Sequence, residues 1–173
     1  MISVVTGGSG SGKSEYAEKL AVKQGGRLIY IATMQPFGSE ARERISRHRE
    51  MRSGKGFETI EAFTAAQCAG AEVTQNSVVL LECVSNLVAN EMFSVGGDYM
   101  RSVKECLNTL SGRCGHLIAV TNEIFSDGLM YDDETIRYIK AMAEINRFLF
   151  SAADSVTEVV YSIPVLVKGG CLY

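Results

Sequence analysis

The first fourteen residues restrict the possible fold more than any other stretch of the chain. Residues 1–6 have the composition of a short β-strand, the sequence GGSGSGKS follows at residues 7–14, and the next residues begin a helix. This order, with the spacing G-x-x-x-x-G-K-S, is that of a phosphate-binding P-loop. The alternative, a flexible Gly/Ser turn, predicts neither the terminal Lys-Ser nor the preceding strand. We therefore predict that the chain binds a nucleotide.

The residue types in this loop match the chemistry of a polyphosphate site. Glycines allow backbone N–H groups to converge on phosphates without Cβ clashes, and the helix N-terminus adds its dipole and unpaired donors. Lys13 can reach the β- and γ-phosphates, and the Ser14 hydroxyl can bind Mg²⁺. The predicted cradle consists of Gly7, Gly8, Ser9, Gly10, Ser11, Gly12, Lys13 and Ser14.

Size and composition fit one ordinary globular domain that spans residues 1–173. The chain is 46% hydrophobic and 21% charged, which is typical of such domains. Its net charge of −3 gives no support for nucleic-acid or membrane binding, and no apolar run approaches the roughly 20 residues of a membrane span. Five cysteines without a C-x-x-C pair indicate reduced thiols in a cytoplasmic protein rather than disulfides or a zinc site.

Apolar runs alternate with helical segments along the rest of the chain. The runs at residues 28–32, 78–83, 116–121 and 156–160 are typical of strands buried on both faces of a parallel sheet. Pro164 suits an edge strand at residues 164–168, which we take as antiparallel. The expected fold is an α/β three-layer sandwich of the P-loop NTPase class with a mostly parallel sheet.

The helix and turn signals are more local. We expect helices at about residues 13–24, 39–53, 99–110 and 134–152, and a helix that reaches about residue 74 after a short strand at residues 57–62. Ser39 is the expected N-cap of the second helix, and Ser111-Gly112 the expected stop of the third. A turn is expected at Ser126-Asp127-Gly128.

One helix, at about residues 39–53, differs from the others in its charge. Residues 40–55 hold five arginines and one lysine against three glutamates. His48 lies at the centre, with Arg44 and Arg52 one turn away on either side and roughly on the same face. Charge and polarity alone are compatible with a solvated surface helix, so the role of His48 stays open at this point.

Ligands in open α/β sheets bind beyond the carboxyl ends of the strands. We therefore expect the P-loop, residues 33–35, Glu82 and Asn122-Glu123 to gather along one edge. An acidic residue at the tip of a second apolar strand often serves Mg²⁺ in P-loop folds, and Glu82 has that position. A helix cap or a salt bridge is the structural alternative for this carboxylate.

Five motifs combine across the whole chain. They are T-G-G-x-x-S-G-K-S at residues 6–14, Y-I-A-T at 30–33, R-I-x-x-H-x-x-x-R at 44–52, L-L-E-C at 80–83 and T-N-E at 121–123. Together they resemble the bifunctional adenosylcobinamide kinase / adenosylcobinamide-phosphate guanylyltransferase family of cobalamin biosynthesis.

The resemblance implies a kinase and a guanylyltransferase. Such enzymes phosphorylate adenosylcobinamide with GTP or ATP, then transfer GMP from GTP to adenosylcobinamide phosphate through a GMP-histidine intermediate. It implies His48 as the nucleophile and a homotrimer whose histidine-bearing helix projects from the sheet domain. It implies nucleotide contacts from the P-loop and from Thr33, Met34, Gln35, Arg49, Glu50, Met51, Arg52, Glu61 and Glu82. Mg²⁺ at Ser14 and Glu82 is the expectation from the P-loop motif and the strand tip.

The chemistry of the basic helix agrees with this resemblance. A histidine that attacks phosphorus must be neutral, and the nearby cations Arg44 and Arg52 disfavour the imidazolium form and can hold phosphate oxygens. Because the guanine-reading N-K-x-D motif of GTPases is absent, the resemblance assigns base selection to Glu61 or Glu82. The alternatives are a small-molecule P-loop kinase without guanylyl transfer and a nucleotide-dependent switch protein.

Overall fold

A seven-stranded sheet forms the centre of the computed structural model, which describes residues 1–95, 97–125 and 130–170. The strand order is β3-β2-β4-β5-β1-β6-β7. Every neighbouring pair is parallel except β6 and β7, which are antiparallel. The strands are β1 (Ile2–Thr6), β2 (Arg27–Ala32), β3 (Glu58–Glu61), β4 (Ser77–Glu82), β5 (His116–Val120), β6 (Ser155–Val160) and β7 (Ile163–Lys168).

Helices cover both faces of this sheet. They are α1 (Lys13–Gln24), α2 (Gly38–Arg52), α3 (Ala65–Ala69), α4 (Val84–Asn90), α5 (Tyr99–Arg113) and α6 (Asp133–Ala152), and a π-helical turn at Glu91–Val95 follows α4. Helix α1 packs on one face, whereas α3, α4, α5 and α6 share the core on the other. Among the described residues, no helix is both long and apolar enough to cross a membrane.

The central strands alternate their side chains between the two cores. In β4, Val79 and Leu81 face the larger core, and Val78 and Leu80 face α1. Successive side chains of a strand point to opposite faces, so a strand covered on both sides is apolar throughout. The expected three-layer α/β sandwich with a mostly parallel sheet and an antiparallel edge strand is confirmed.

Three local expectations are wrong. Helix α2 begins at Gly38 after the N-cap position Phe37, so Ser39 is not the N-cap. Helix α3 ends at Ala69 and does not reach residue 74, although a capping box between Thr64 and Gln67 begins it. Helix α5 runs through residues 111–112 to Arg113. The turn expected at residues 126–128 lies outside the described residues.

Candidate functional site

A cavity of about 770 Å³ opens at the carboxyl edge of the sheet. Residues 9–14 of the P-loop form one wall, the inward side of α2 forms another, and Glu61 and Glu82 reach it from the ends of β3 and β4. Asn122, which follows β5, also lines it. The strand tips expected to gather along one edge therefore contribute to a single cavity large enough for a nucleotide.

The P-loop needs glycine at two positions for steric reasons. Gly7 has a φ of 151°, and a Cβ there would lie 2.5 Å from the backbone oxygen of Val159. Gly12 has a φ of 91°, and its Cβ would lie 2.7 Å from Ser162 Oγ. A side chain at either position would thus both strain the backbone and clash.

Lys13 and Ser14 connect this loop to the cavity. Lys13 Nζ donates a hydrogen bond to the Gly8 carbonyl at 3.0 Å, and burial lowers the pKa of Lys13 from its ordinary value because desolvation disfavours the ammonium form. Ser14 Oγ donates to Glu82 Oε1. A hydroxyl and a carboxylate in contact offer the oxygen ligands that Mg²⁺ prefers, so the two predicted metal ligands fit this ion.

Glu82 is the meeting point of three elements. Its side chain is only 8% exposed, and Tyr30 OH from β2 donates to its other oxygen at 3.2 Å. Desolvation, together with the nearby Glu82 charge, raises the pKa of Tyr30 above its ordinary value, which keeps the phenol a hydrogen-bond donor. The carboxylate therefore holds donors from both the P-loop helix and β2.

His48 lies in the same cavity, against this carboxylate. The imidazole is 17% exposed, and its Nδ1 is 3.6 Å from Glu82 Oε1. That distance exceeds a hydrogen bond, and Nδ1 is a buried atom with no hydrogen-bond partner in the part of the chain that the structure describes. The sequence placed this histidine on a polar helix without indicating which residue it would face.

Arg52 fastens the C-terminal end of α2 to the sheet. Its guanidinium carbon lies 3.4 Å from the centroid of the Tyr30 ring, which is cation–π geometry. Its Nη1 also donates to the His48 carbonyl at 3.0 Å. Arg52 is buried, whereas Arg44 is largely exposed and pairs with Glu40. The last residue of α2 is thus held on the sheet through Tyr30, whereas Arg44 in the middle of the helix is exposed. The projection of this helix from the sheet domain stays a prediction.

The other predicted nucleotide contacts fall into two groups. Met34, Arg49, Met51 and Glu61 line the cavity, and Arg49 Nη2 pairs with Glu61 Oε1 at 2.8 Å near its mouth. The walls do not include Gly7, Gly8, Thr33, Gln35 or Glu50.

Thr33 has a visible structural task in this arrangement. Its hydroxyl donates to the Cys83 carbonyl and accepts from the Cys83 N–H, both at 2.8 Å, which ties together the ends of β2 and β4. Glu50 is exposed and accepts a hydrogen bond from Ser46 at 3.4 Å. Nucleotide contacts by these two residues stay predictions.

Glu18 is a residue of this site that the sequence analysis missed. Its side chain is fully buried, and one carboxylate oxygen accepts from Lys55 Nζ at 2.6 Å. Burial raises the pKa of Glu18, and the hydrogen bond from Lys55 opposes that rise. The available signal was an acidic residue beside Ala17 and Ala21 on the inward side of α1, one turn after Ser14.

Comparison with known proteins assigns the family. A family model described as cobinamide kinase / cobinamide phosphate guanyltransferase matches residues 3–167. The chain belongs to this family. Members of the cobinamide kinase / cobinamide phosphate guanyltransferase family are transferases that act in cobalamin biosynthesis, so the resemblance expected from the five motifs is confirmed.

Relatives of this family cover nearly the whole chain. The bifunctional adenosylcobalamin biosynthesis protein CobU of Escherichia coli (strain K12) is 33% identical, and the match covers 97% of this chain and 100% of CobU. The bifunctional adenosylcobalamin biosynthesis protein CobP of Pseudomonas aeruginosa is 27% identical over 98% of each chain.

Solved structures with low sequence identity support the fold alone. A solved ATPase domain matches with a TM-score of 0.55 at 9% identity, covering 97% of this chain and 76% of that one. The RadB recombinase matches with a TM-score of 0.51 at 15% identity, covering 91% and 73%. The P-loop NTPase fold expected for this family member is therefore confirmed.

Proposed function

We propose that this family member transfers GMP from GTP to adenosylcobinamide phosphate through a covalent GMP-histidine at His48, after phosphorylating adenosylcobinamide with GTP or ATP. The observation that carries the proposal is the position of the imidazole. It lines the same cavity as the P-loop, with Nδ1 3.6 Å from the carboxylate that accepts the Ser14 hydroxyl.

The two nitrogens of His48 have different tasks in this proposal. Nδ1 faces Glu82, and closing their separation by about 0.5 Å gives an Nδ1–H hydrogen bond to the carboxylate. That tautomer leaves the lone pair on Nε2. Nε2 attacks the α-phosphorus of GTP, a P–N bond forms, the P–O bond to the leaving group breaks, and pyrophosphate departs. Glu82 then faces the positive charge that develops on the ring.

The second half of the transfer reverses the covalent step. A phosphate oxygen of adenosylcobinamide phosphate attacks the same phosphorus, the P–N bond breaks, and neutral His48 returns. Lys13 and the arginines of α2 hold the phosphate oxygens and stabilise their charge. When bound at Ser14 and Glu82, Mg²⁺ supplies charge neutralisation of the polyphosphate. In the kinase half, the aminopropanol hydroxyl attacks the γ-phosphorus directly and loses its proton, the bond from that phosphorus to the β,γ-bridging oxygen breaks, and the nucleoside diphosphate departs.

The proposal also covers recognition of the guanine base and the oligomeric state. Glu61 stands with Arg49 near the cavity mouth, where a carboxylate can accept hydrogen bonds from the donor edge of guanine. We assign guanine preference to Glu61 or Glu82, and we expect a cytoplasmic homotrimer by family resemblance.

The experiment that tests His48 compares two labels. The chain is incubated with GTP labelled at the α-phosphate or at the γ-phosphate, and the protein is then separated and treated with acid. We expect retained, acid-labile α-label on the wild type and on His116→Gln, and none on His48→Ala. As a control, GTP binding by His48→Ala is measured separately to test whether its nucleotide site is intact. Absence of α-label from the wild type would instead favour a kinase without guanylyl transfer, and α-label that persists on His48→Ala would place the intermediate elsewhere.

A further inference from the structure

Three acid–base side chains from three different elements converge beneath the cavity. Glu18 comes from α1, His48 from α2 and Glu82 from the end of β4, and one ligand atom of each lies within 4.8 Å of the other two. Glu18 is fully buried and Glu82 is 8% exposed. Such a group of carboxylates and an imidazole is chemically a set of metal ligands.

Two atoms of this group are unsatisfied. Glu18 Oε1 and His48 Nδ1 are both buried and have no hydrogen-bond partner among residues 1–95, 97–125 and 130–170. Leaving a buried polar atom unpaired is unfavourable by about 1–3 kcal/mol, and buried polar atoms in folded proteins are nearly always paired. Glu18 Oε1 carries a lone pair that a cation can accept, and His48 Nδ1 carries one in the tautomer that has its proton on Nε2.

The spacing within the group of Glu18, His48 and Glu82 suits a small ion. Nitrogen and oxygen ligands lie about 2.0–2.2 Å from a zinc-like ion, so two ligands of a tetrahedral site are about 3.4 Å apart. The observed separation of His48 Nδ1 and Glu82 Oε1 is 3.6 Å. The widest separation in the group, at most 4.8 Å, needs a closure of at most about 1.4 Å to reach that spacing.

We propose that Glu18, His48 and Glu82 bind one divalent transition-metal ion through an imidazole nitrogen and two carboxylate oxygens. A nitrogen ligand beside two oxygens favours Zn²⁺, Co²⁺ or Ni²⁺ over Mg²⁺ and Ca²⁺, which prefer oxygen alone. This site shares Glu82 with the proposed Mg²⁺ pair but does not use Ser14. It assembles only when α2 is docked with His48 against the sheet.

Neighbouring charged side chains affect how tightly this site binds the metal ion. Metal ions bind carboxylates in their ionised form, and Lys55 holds Glu18 Oε2 at 2.6 Å. Lys13 and Arg52 also lie nearby in the cavity. Lys55 therefore competes with the ion for Glu18, and its removal strengthens binding.

A metal ion at this site blocks guanylyl transfer, a consequence that rests on the proposed function. Coordination at Nδ1 places the remaining proton of a neutral imidazole on Nε2. Nε2 then has no lone pair for the α-phosphorus. The binding of the ion itself does not depend on the proposed function.

Cobalt absorption tests the site directly. The reduced chain of residues 1–173, without nucleotide, is titrated with Co²⁺, and the visible d–d bands are followed. We expect one ion per chain in the wild type, binding weakened about 10-fold or more in Glu18→Gln and in His48→Ala, and binding unchanged in Glu15→Gln. Glu15 is the matched control because it is an exposed acid on the same helix that pairs with Lys19. We expect Lys55→Met to bind Co²⁺ more tightly, a gain that misfolding cannot produce.

Three results would overturn the site: no bound Co²⁺, binding that is unchanged in both Glu18→Gln and His48→Ala, or a sulfur-to-cobalt charge-transfer band that indicates a cysteine site. The α-label assay, run in excess Mg²⁺ with and without Co²⁺, separates this inference from the proposed function. If no α-label forms even when a chelator removes Co²⁺, the proposed GMP-histidine intermediate is refuted. The Co²⁺ absorption result still supports the metal site in that case. If α-label forms equally with saturating Co²⁺, the block of Nε2 is refuted.

Discussion

His116 makes the stability of the fold depend on pH in a calculable way. The residue begins β5, at the end of the sheet opposite the cavity, and it is 3% exposed. Its Nε2 is 2.8 Å from Ser3 Oγ. Burial lowers the pKa of His116 to about 4, and the N-terminal ammonium adds to this shift while Asp154 opposes it.

The sign follows from which state binds more protons. Between pH 6.5 and pH 4 the unfolded chain protonates this imidazole and the folded chain does not, so the free energy of unfolding falls as the pH falls. A separation of about 2.5 pKa units corresponds to about 3 kcal/mol in full. About 2 kcal/mol of this is lost between pH 7 and pH 5, which lowers Tm by about 4–8 °C for a chain of this length.

The assay compares wild type with His116→Gln in urea unfolding at pH 7 and pH 5, followed by far-UV circular dichroism at one protein concentration. Glutamine can still bond Ser3 but does not titrate. We expect the free energy of unfolding of the wild type to fall by about 2 kcal/mol more than that of the variant between the two pH values. A difference in stability that is the same at both pH values cancels in this comparison. Equal losses in both proteins would refute the argument, because other titrating groups contribute to both and cancel in the comparison.

Three further substitutions test the site. Gly7→Ala should abolish binding of a fluorescent GTP analogue because its Cβ meets a backbone oxygen, whereas Gly112→Ala, on α5 and outside the cavity walls, should bind normally because no described atom lies within 4 Å of its Cβ. Lys55→Met should lower the free energy of unfolding by about 3 kcal/mol because it leaves the buried Glu18 carboxylate unpaired, and adding Glu18→Gln should restore most of that loss in denaturant titrations. Tyr30→Phe should lower it by about 1 kcal/mol through the lost hydroxyl donor, and an unchanged midpoint would show that this hydrogen bond adds nothing.

The sheet could be predicted from sequence because its signals are local and redundant. The expected strand at residues 28–32 differs by one residue from the observed β2 (Arg27–Ala32), and helix α1 begins and ends where expected. Each of these segments has a continuous apolar run or a P-loop motif next to it. The order of strands in the sheet is a tertiary property, and no local pattern in the sequence states it.

The helix ends were less predictable because packing overrides weak local signals. Residues 111–112 look like a stop, yet α5 continues because Leu110 is fully buried and its carbonyl accepts the Cys114 N–H. Glycine within a helix is unfavourable by only about 1 kcal/mol relative to alanine. The burial of Leu110 alone is worth about 2 kcal/mol, which is enough to decide the outcome.

The docking of α2 escaped prediction for a different reason. The contacts here are polar and join residues far apart in sequence, such as Arg52 on the Tyr30 ring and, just beyond the helix, Lys55 on Glu18. Neither contact produces the apolar periodicity that identifies a packed helix face. The sequence analysis therefore found the histidine and the P-loop separately, and only the structure brings His48 to Glu82.

Glu82 is where the two proposed activities become inseparable. Its carboxylate accepts the Ser14 hydroxyl on the P-loop side and faces His48 Nδ1 on the α2 side. On the proposed function, the first contact serves the phosphates in both reactions and the second serves guanylyl transfer alone. On the same proposal, we expect removal of this carboxylate to impair both activities, whereas removal of the imidazole leaves the P-loop, Ser14 and Glu82 in place. We therefore expect the loss of His48, and not the loss of Glu82, to separate the kinase activity from guanylyl transfer.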